Sequence, residues 1–164
     1  MRMPDANFDL TQFLSQQYLC ESLTITEVQK MLEYTELVTF AKNEVISDIG
    51  EVGEALYFVV SGEAALLYEE NGQETEIGLM AVGELMGEMS FFDRQPRLLR
   101  MRAKTNATRL LKLPRIMYER LRVEHPYIAV NLLEHAIISL DHLVRRVSQD
   151  EMSLARYMFG KAKR

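Results

Sequence analysis

The sequence predicts an α+β protein, mainly β: an antiparallel barrel or sandwich with helices before and after it. Three observations carry this. Short segments rich in Val, Ile, Leu, Tyr and Phe follow one another through the middle of the chain. Turn residues separate them, and they do not alternate with long helices, which disfavours a parallel βαβ arrangement. Apolar residues at helical spacing occupy both ends. The 164 residues are 48% hydrophobic and 26% charged, the length and balance of one ordinary globular domain.

Residues 1–35 read as N-terminal helices. Phe8, Leu10, Phe13 and Leu14 sit near helical spacing, and Thr24-Ile25-Thr26-Glu27 offers a capping box ahead of the Val28, Met31 and Leu32 stripe. Residues 36–113 hold the strands: Glu36 to Phe40, Glu44 to Ile46, Leu56 to Ser61, Glu63 to Tyr68, Thr75 to Met80, Arg97 to Ala103 and Ala107 to Leu113. Asn71-Gly72 suits a type I′ hairpin turn, in which both central positions take positive φ. Pro114 stops the last strand. Residues 114–158 then read as helices: a short amphipathic one over Arg115 to Glu124, and a long one opened by His125-Pro126, because proline fits the first helical turn. On a heptad frame Leu133, Leu140, Val147 and Leu154 share one seam position. Ala129, Ala136, Leu143, Asp150 and Tyr157 share the other, with Ile137, Val144 and Met158 widening the stripe. So long a stripe is expected to pack on the barrel near Pro126 and on a partner helix beyond Leu140, giving a homodimer. Residues 159–164 form a basic tail.

The net charge of −5 hides an asymmetry. Residues 1–93 carry 3 basic and 18 acidic side chains, whereas residues 94–164 carry 16 basic and 6 acidic. Either the halves neutralise each other across the fold, or the basic half meets an anion. A single cysteine, Cys20, rules out an intrachain disulfide and a cysteine metal cluster. His125, His135 and His142 all fall in the C-terminal helices, and the latter two lie two turns apart, too far to share a metal ion. With no nucleophile elbow, phosphate-binding P-loop or dinucleotide fingerprint, no enzyme activity, cofactor or metal is expected. The longest run free of polar residues and glycine, Ala55 to Val60, is short and no secretory signal is visible, so the expectation is a cytoplasmic protein without membrane insertion.

Residues 83–103 combine a glycine-punctuated turn, a Gly-Glu pair, a connector and an arginine entering a strand. Gly87 permits a backbone shape other residues resist and leaves N–H groups free to face an anion. Glu88 can accept from a hydroxyl, and Arg97 offers a planar fork for phosphate. Anion beside hydroxyl describes a ribose phosphate.

Here the chain resembles the cyclic-nucleotide-binding domains of the catabolite-activator type, also found in kinase regulatory subunits and ion channels. Phe40, Val45-Ile46 and the run from Gly50 through Gly53 to Gly62 are similar to the first half of that family. Met86-Gly87-Glu88-Met89-Ser90 with Pro96-Arg97 resembles its phosphate-binding cassette, and Met101 to Thr105 and His125-Pro126 continue the match. The resemblance implies an antiparallel eight-stranded β-roll (jelly-roll-like) with N-terminal helices and a long C-terminal helix that dimerises and closes over the base. It implies a cyclic nucleotide, cyclic AMP or cyclic GMP, held by Gly87, Glu88, Met89, Ser90, Arg97, Leu98 and Leu99, with Glu88 on the ribose hydroxyl and Arg97 on the cyclic phosphate. The departures are Leu98, Leu99 and Arg100, where relatives carry small or hydroxylated residues, and Leu143 and Val144, where activator-type relatives place two hydroxyl residues to read adenine. Ser139, one turn earlier, is a partial substitute as base contact. The chain stops at Arg164 without a helix-turn-helix segment, so sequence-specific DNA binding is not expected. The expectation is a stand-alone regulatory module signalling to an effector protein, with a degenerate β-roll acting as a dimeric scaffold as the alternative.

Overall fold

A computed structural model describes residues 9–149, with side-chain surroundings through Arg145. Local signals set the N-terminal elements. Asp9 caps α1 (Leu10–Ser15), a 3₁₀ turn follows at Tyr18–Cys20, and both bonds of the Thr24–Glu27 capping box open α2 (Ile25–Glu33). The strands are β1 (Glu36–Phe40), β2 (Val45–Ser47), β3 (Ala55–Ser61), β4 (Ala64–Glu70), β5 (Gln73–Met80), β6 (Leu85–Met86), β7 (Arg100–Ala103) and β8 (Thr108–Pro114), with α3 (Glu88–Asp93) between β6 and β7. Helices α4 (Arg115–Glu124) and α5 (Pro126–Gln149) complete the described chain.

The strands form two antiparallel four-stranded sheets, ordered β1-β8-β3-β6 and β2-β7-β4-β5. The Asn71-Gly72 turn joins β4 to β5 with φ values of 53° and 79°, both positive as a type I′ turn requires. The helices cover the outer face of the first sheet. Leu56, Phe58 and Val60 of β3 face Leu14, Val28, Leu121 and Leu132, while Ala55, Tyr57 and Val59, with Leu110 of neighbouring β8, face Leu66 and Met101 of the second sheet. β3 is thus buried on both faces, which explains its unbroken apolar run.

The structure changes several boundaries read from the sequence. The glycine-punctuated turn contains β6, the eighth strand that the resemblance implied, and α3 runs from Glu88 into the expected connector. The strand expected from Arg97 begins at Arg100. Arg97 instead bonds outside the sheets: its N–H donates to Glu51 O and its carbonyl accepts from Gly50 N, both at 2.8 Å. The hairpin is longer than expected, starting at Gln73, because a two-residue turn lets pairing begin at once.

The heptad seam also needs correction. Ala129 and Ala136 are buried against the body, and small side chains there allow α5 to lie close. Leu143 faces inward as well, packing with the core between the sheets. The outward apolar positions are Val130, Ile137 and Val144, themselves seven residues apart, flanked by half-buried Leu133 and Leu140. Phe8, the side chain of Val147, and Asp150, Leu154, Tyr157, Met158 and the 159–164 tail lie outside the described residues. By length and composition alone α5 is apolar enough to cross a membrane, yet its inner face is packed and hydrogen-bonded into the domain.

Part of the charge asymmetry is neutralised across the second sheet. Arg100 on β7 pairs with Asp48, Glu69 and Glu74, Arg102 with Glu74, and Lys104 with Glu76. Basic β7 thus lies between β2 and β4, and its side chains reach carboxylates on β4 and β5.

Candidate ligand site

A cavity of about 460 Å³ opens between β4, β5, the β6–α3 turn, β7 and α5. That size suits a small organic ligand. Its walls are apolar, from Leu66, Met80, Met86, Met101 and Leu143, and polar groups gather at one end.

Local geometry creates that polar end. Gly87 links β6 to α3 at φ 91°, a left-handed conformation that favours glycine, and a Cβ there would stand 3.3 Å from Arg97 Nη2. Gly53 is tighter: a Cβ would come within 2.8 Å of both Arg97 Nη2 and Phe91 N. Ser90 braces the loops, since its Oγ accepts from Gly53 N and donates to Gln95 O, each at 2.6 Å. Phe91, fully buried, anchors α3 with its ring edge-on to Tyr118 and the Arg115 guanidinium 4.5 Å from its centroid.

Arg97 is only 8% exposed, and its side chain is under-bonded. Nη1 makes one long contact, 3.4 Å, to Gly87 O, and among the described residues Nε is buried with no hydrogen-bond partner. Burial lowers its pKa from the ordinary arginine value, while the charges of Tyr57, Glu51 and Glu88 pull it back up. Glu88 is 5% exposed. Burial raises its pKa above the ordinary carboxylate value, opposed first by the hydrogen bond that Ser139 Oγ donates to Oε1 at 2.6 Å. A buried cation with an unbonded donor, beside a buried carboxylate, forms a receptor for an anion bearing a neighbouring hydroxyl.

The structure brings together Gly87, Glu88, Met89, Ser90, Arg97, Leu98, Leu99 and Leu143 around the cavity. Leu98 sits at the mouth and is 75% exposed, so most of its bulk points to solvent; Leu99 is half-buried and joins the core between the sheets. Ser139 is bonded to Glu88 and Leu85 O. Val144 does not line the cavity and is exposed, because it lies on the outward face of α5. In the sequence Gly53 is a turn residue and Leu66, Met80 and Met101 are strand residues, none of them singled out for the site. Cys20 is buried, and burial pushes its thiol up to about 11, which removes it as a nucleophile.

Fold and cavity together define a β-roll with a small-molecule pocket capped by its C-terminal helix. The chain belongs to the cyclic nucleotide-binding domain family, whose pattern matches residues 37–125. A cAMP-dependent protein kinase regulatory subunit from Mucor circinelloides f. lusitanicus is 34% identical over 85 residues, 52% of this chain and 20% of the relative. The Cyclic AMP receptor protein of Thermus thermophilus is 32% identical over 146 residues, 88% of this chain and 64% of the relative. The crystal structure of the Thermus thermophilus Catabolite Activator Protein superposes with a TM-score of 0.66, covering 86% of this chain and 63% of that one, at 32% identity. A cyclic nucleotide-binding domain from Methylobacillus flagellatus gives a TM-score of 0.74 at 20% identity, covering 85% of this chain and 79% of that one, which supports the fold alone. The chain thus spans about a fifth of the kinase subunit and under two thirds of the Thermus protein.

Proposed function

We propose that this protein is a regulatory module, not an enzyme, that binds cyclic AMP or cyclic GMP in the β-roll and passes the change to an effector protein in the cytoplasm. The observation that carries the reading is Arg97, a nearly buried guanidinium with an unbonded Nε at the polar end of an otherwise apolar cavity. The cyclic phosphate fits Arg97, the adjoining ribose hydroxyl fits Glu88, and the base extends toward Met80, Met101 and Leu143. Those side chains carry no conventional hydrogen-bonding group to distinguish one purine from another. The names of the relatives, a kinase regulatory subunit and a cyclic AMP receptor, support the same ligand class. In this reading two copies pair in parallel through the outward face of α5.

Calorimetric titration with cyclic AMP and cyclic GMP tests the reading. The wild type should bind, and a ligand at one hundred times its Kd should add about 2.7 kcal/mol of stability. Arg97→Ala should abolish binding. Absence of binding by the wild type to both nucleotides would leave the β-roll as a dimeric interaction scaffold.

A further inference from the structure

Three polar residues, each four apart, fasten α5 to the body. Asn131 Nδ2 donates to Leu19 O at 2.7 Å, and His135 Nε2 lies 2.9 Å from Tyr18 O. Ser139 Oγ lies 2.6 Å from Glu88 Oε1 and 3.1 Å from Leu85 O. A spacing of four keeps them on one helical face, and Leu143, the next on that line, forms part of the cavity wall. The first two rungs hold the 3₁₀ turn. The third holds the carboxylate that the site uses.

A serine hydroxyl has one proton to give. At 2.6 Å it goes to Glu88, the shorter of its two contacts and the length of a charge-assisted bond. A ligand hydroxyl would bring the same chemistry to the same buried carboxylate.

We propose that Ser139 determines which ligands act on α5: its hydroxyl occupies Glu88 in the empty protein and is exchanged for the ligand's hydroxyl on binding, uncoupling α5 from α3. The proposal rests on the cyclic-nucleotide reading above. Two features make the exchange feasible. Leu85 O remains as an acceptor for the displaced proton, so no buried donor is stranded. A second cavity of about 200 Å³, lined by Tyr18, Gly83, His135, Ser139, His142 and Leu143, gives the helix room to shift. A ligand with the anion but no hydroxyl fills the Arg97 end and leaves Ser139 on Glu88. Occupancy then depends on the anion, and the response of the helix depends on the hydroxyl.

The test compares cyclic AMP with its 2′-deoxy analogue on the wild type, Ser139→Ala and Ser139→Thr, each shown by circular dichroism and thermal melting to be folded. Competition predicts that Ser139→Ala binds cyclic AMP about tenfold more tightly than the wild type, the worth of one hydrogen bond to a charged group, with affinity for the deoxy analogue unchanged. Ser139→Thr, which keeps the hydroxyl, should behave as the wild type. Amide hydrogen exchange over residues 137–145 of the wild type should change with cyclic AMP and stay constant with the deoxy analogue. Equal effects of Ser139→Ala on both ligands, weaker binding of cyclic AMP, or the same exchange response to both ligands would overturn the exchange while leaving the nucleotide reading intact. No binding of either ligand to any of the three proteins would overturn both.

Discussion

Arg97 and Glu88 place two ionisable groups where water hardly reaches, and each has a measurable consequence. A buried charged donor without a partner costs at least about 1–3 kcal/mol. Arg97→Met keeps the aliphatic stem and removes that charge, so it should leave the empty protein as stable as the wild type or more so while eliminating ligand binding. Thermal melting with and without nucleotide checks both halves. For Glu88 the folded pKa is raised by burial, so over the pH range between its unfolded and folded values the native state holds more protons than the unfolded state. Its contribution to stability is therefore full below the unfolded value and is lost as pH rises through the folded one. Glu88→Gln does not titrate, and its amide oxygen can still accept from Ser139. Its melting temperature should exceed that of the wild type at neutral pH, and the difference should shrink on acidification. A difference that grows toward low pH would contradict the assignment.

At the scale of elements, the site is a meeting of the loop before β3, the β6–α3 turn and the segment that enters β7. Gly53 is where they come closest. A methyl at that position meets the Phe91 backbone nitrogen as well as Arg97, and backbone cannot swing aside as a side-chain tip can. Gly53→Ala should therefore displace the Arg97 fork, lowering affinity for cyclic nucleotide by tenfold or more on the scale of one lost charged hydrogen bond. The cost to stability should be about 1–3 kcal/mol, as for overpacked cores. Calorimetry and denaturant unfolding read the two effects separately. Most of these elements were legible beforehand. The Thr24 capping box, the Asn71-Gly72 turn and Pro126 are local signals whose chemistry lies within four residues. β6 and α3 were not, because a two-residue strand has no periodicity to detect and α3 is held by Phe91 packing on Tyr118 from α4. Likewise Gly87, Glu88 and Arg97 stood out as a Gly-Glu pair and an arginine, and Ser139 as a candidate base contact, whereas the approach of Gly53 to Arg97 and the bond of Ser139 to Glu88 arise only through contacts across the fold.

For the whole molecule, the proposed assembly rests on the outward face of α5. Val130, Ile137 and Val144 are each at least half exposed and recur every seven residues, the spacing of a coiled-coil seam. Ile137 touches solvent over 67% of its surface, so Ile137→Lys should leave the fold intact while placing a charge in the seam of the proposed dimer. Light scattering should find twice the chain mass for the wild type and the chain mass for the variant. An unchanged dimer would move the interface elsewhere. The ion pairs along β7 are half exposed or less, and each exposed pair contributes little, about 0–1 kcal/mol. Their effect is that Arg100, Arg102 and Lys104 are neutralised beside the strands, while Arg97 stands as a buried cation at the cavity.

By itself the sequence determined the order of the helices and strands other than β6 and α3, the turns that separate them and the Gly-Glu and arginine positions of the cassette. Propensity, capping and turn chemistry act between neighbours, so they survive without any knowledge of the fold. Tertiary structure alone decided which face of α5 turns inward, because two apolar heptad positions compete and small Ala129 and Ala136 let the body come closest. It also decided that β3 is covered on both faces and that Arg100 meets three carboxylates. The bond between Ser139 and Glu88, 51 residues apart, belongs to the same class. No pattern in the chain ties a serine on one helix to a carboxylate on another; only the docking of α5 across β6 brings the hydroxyl within reach.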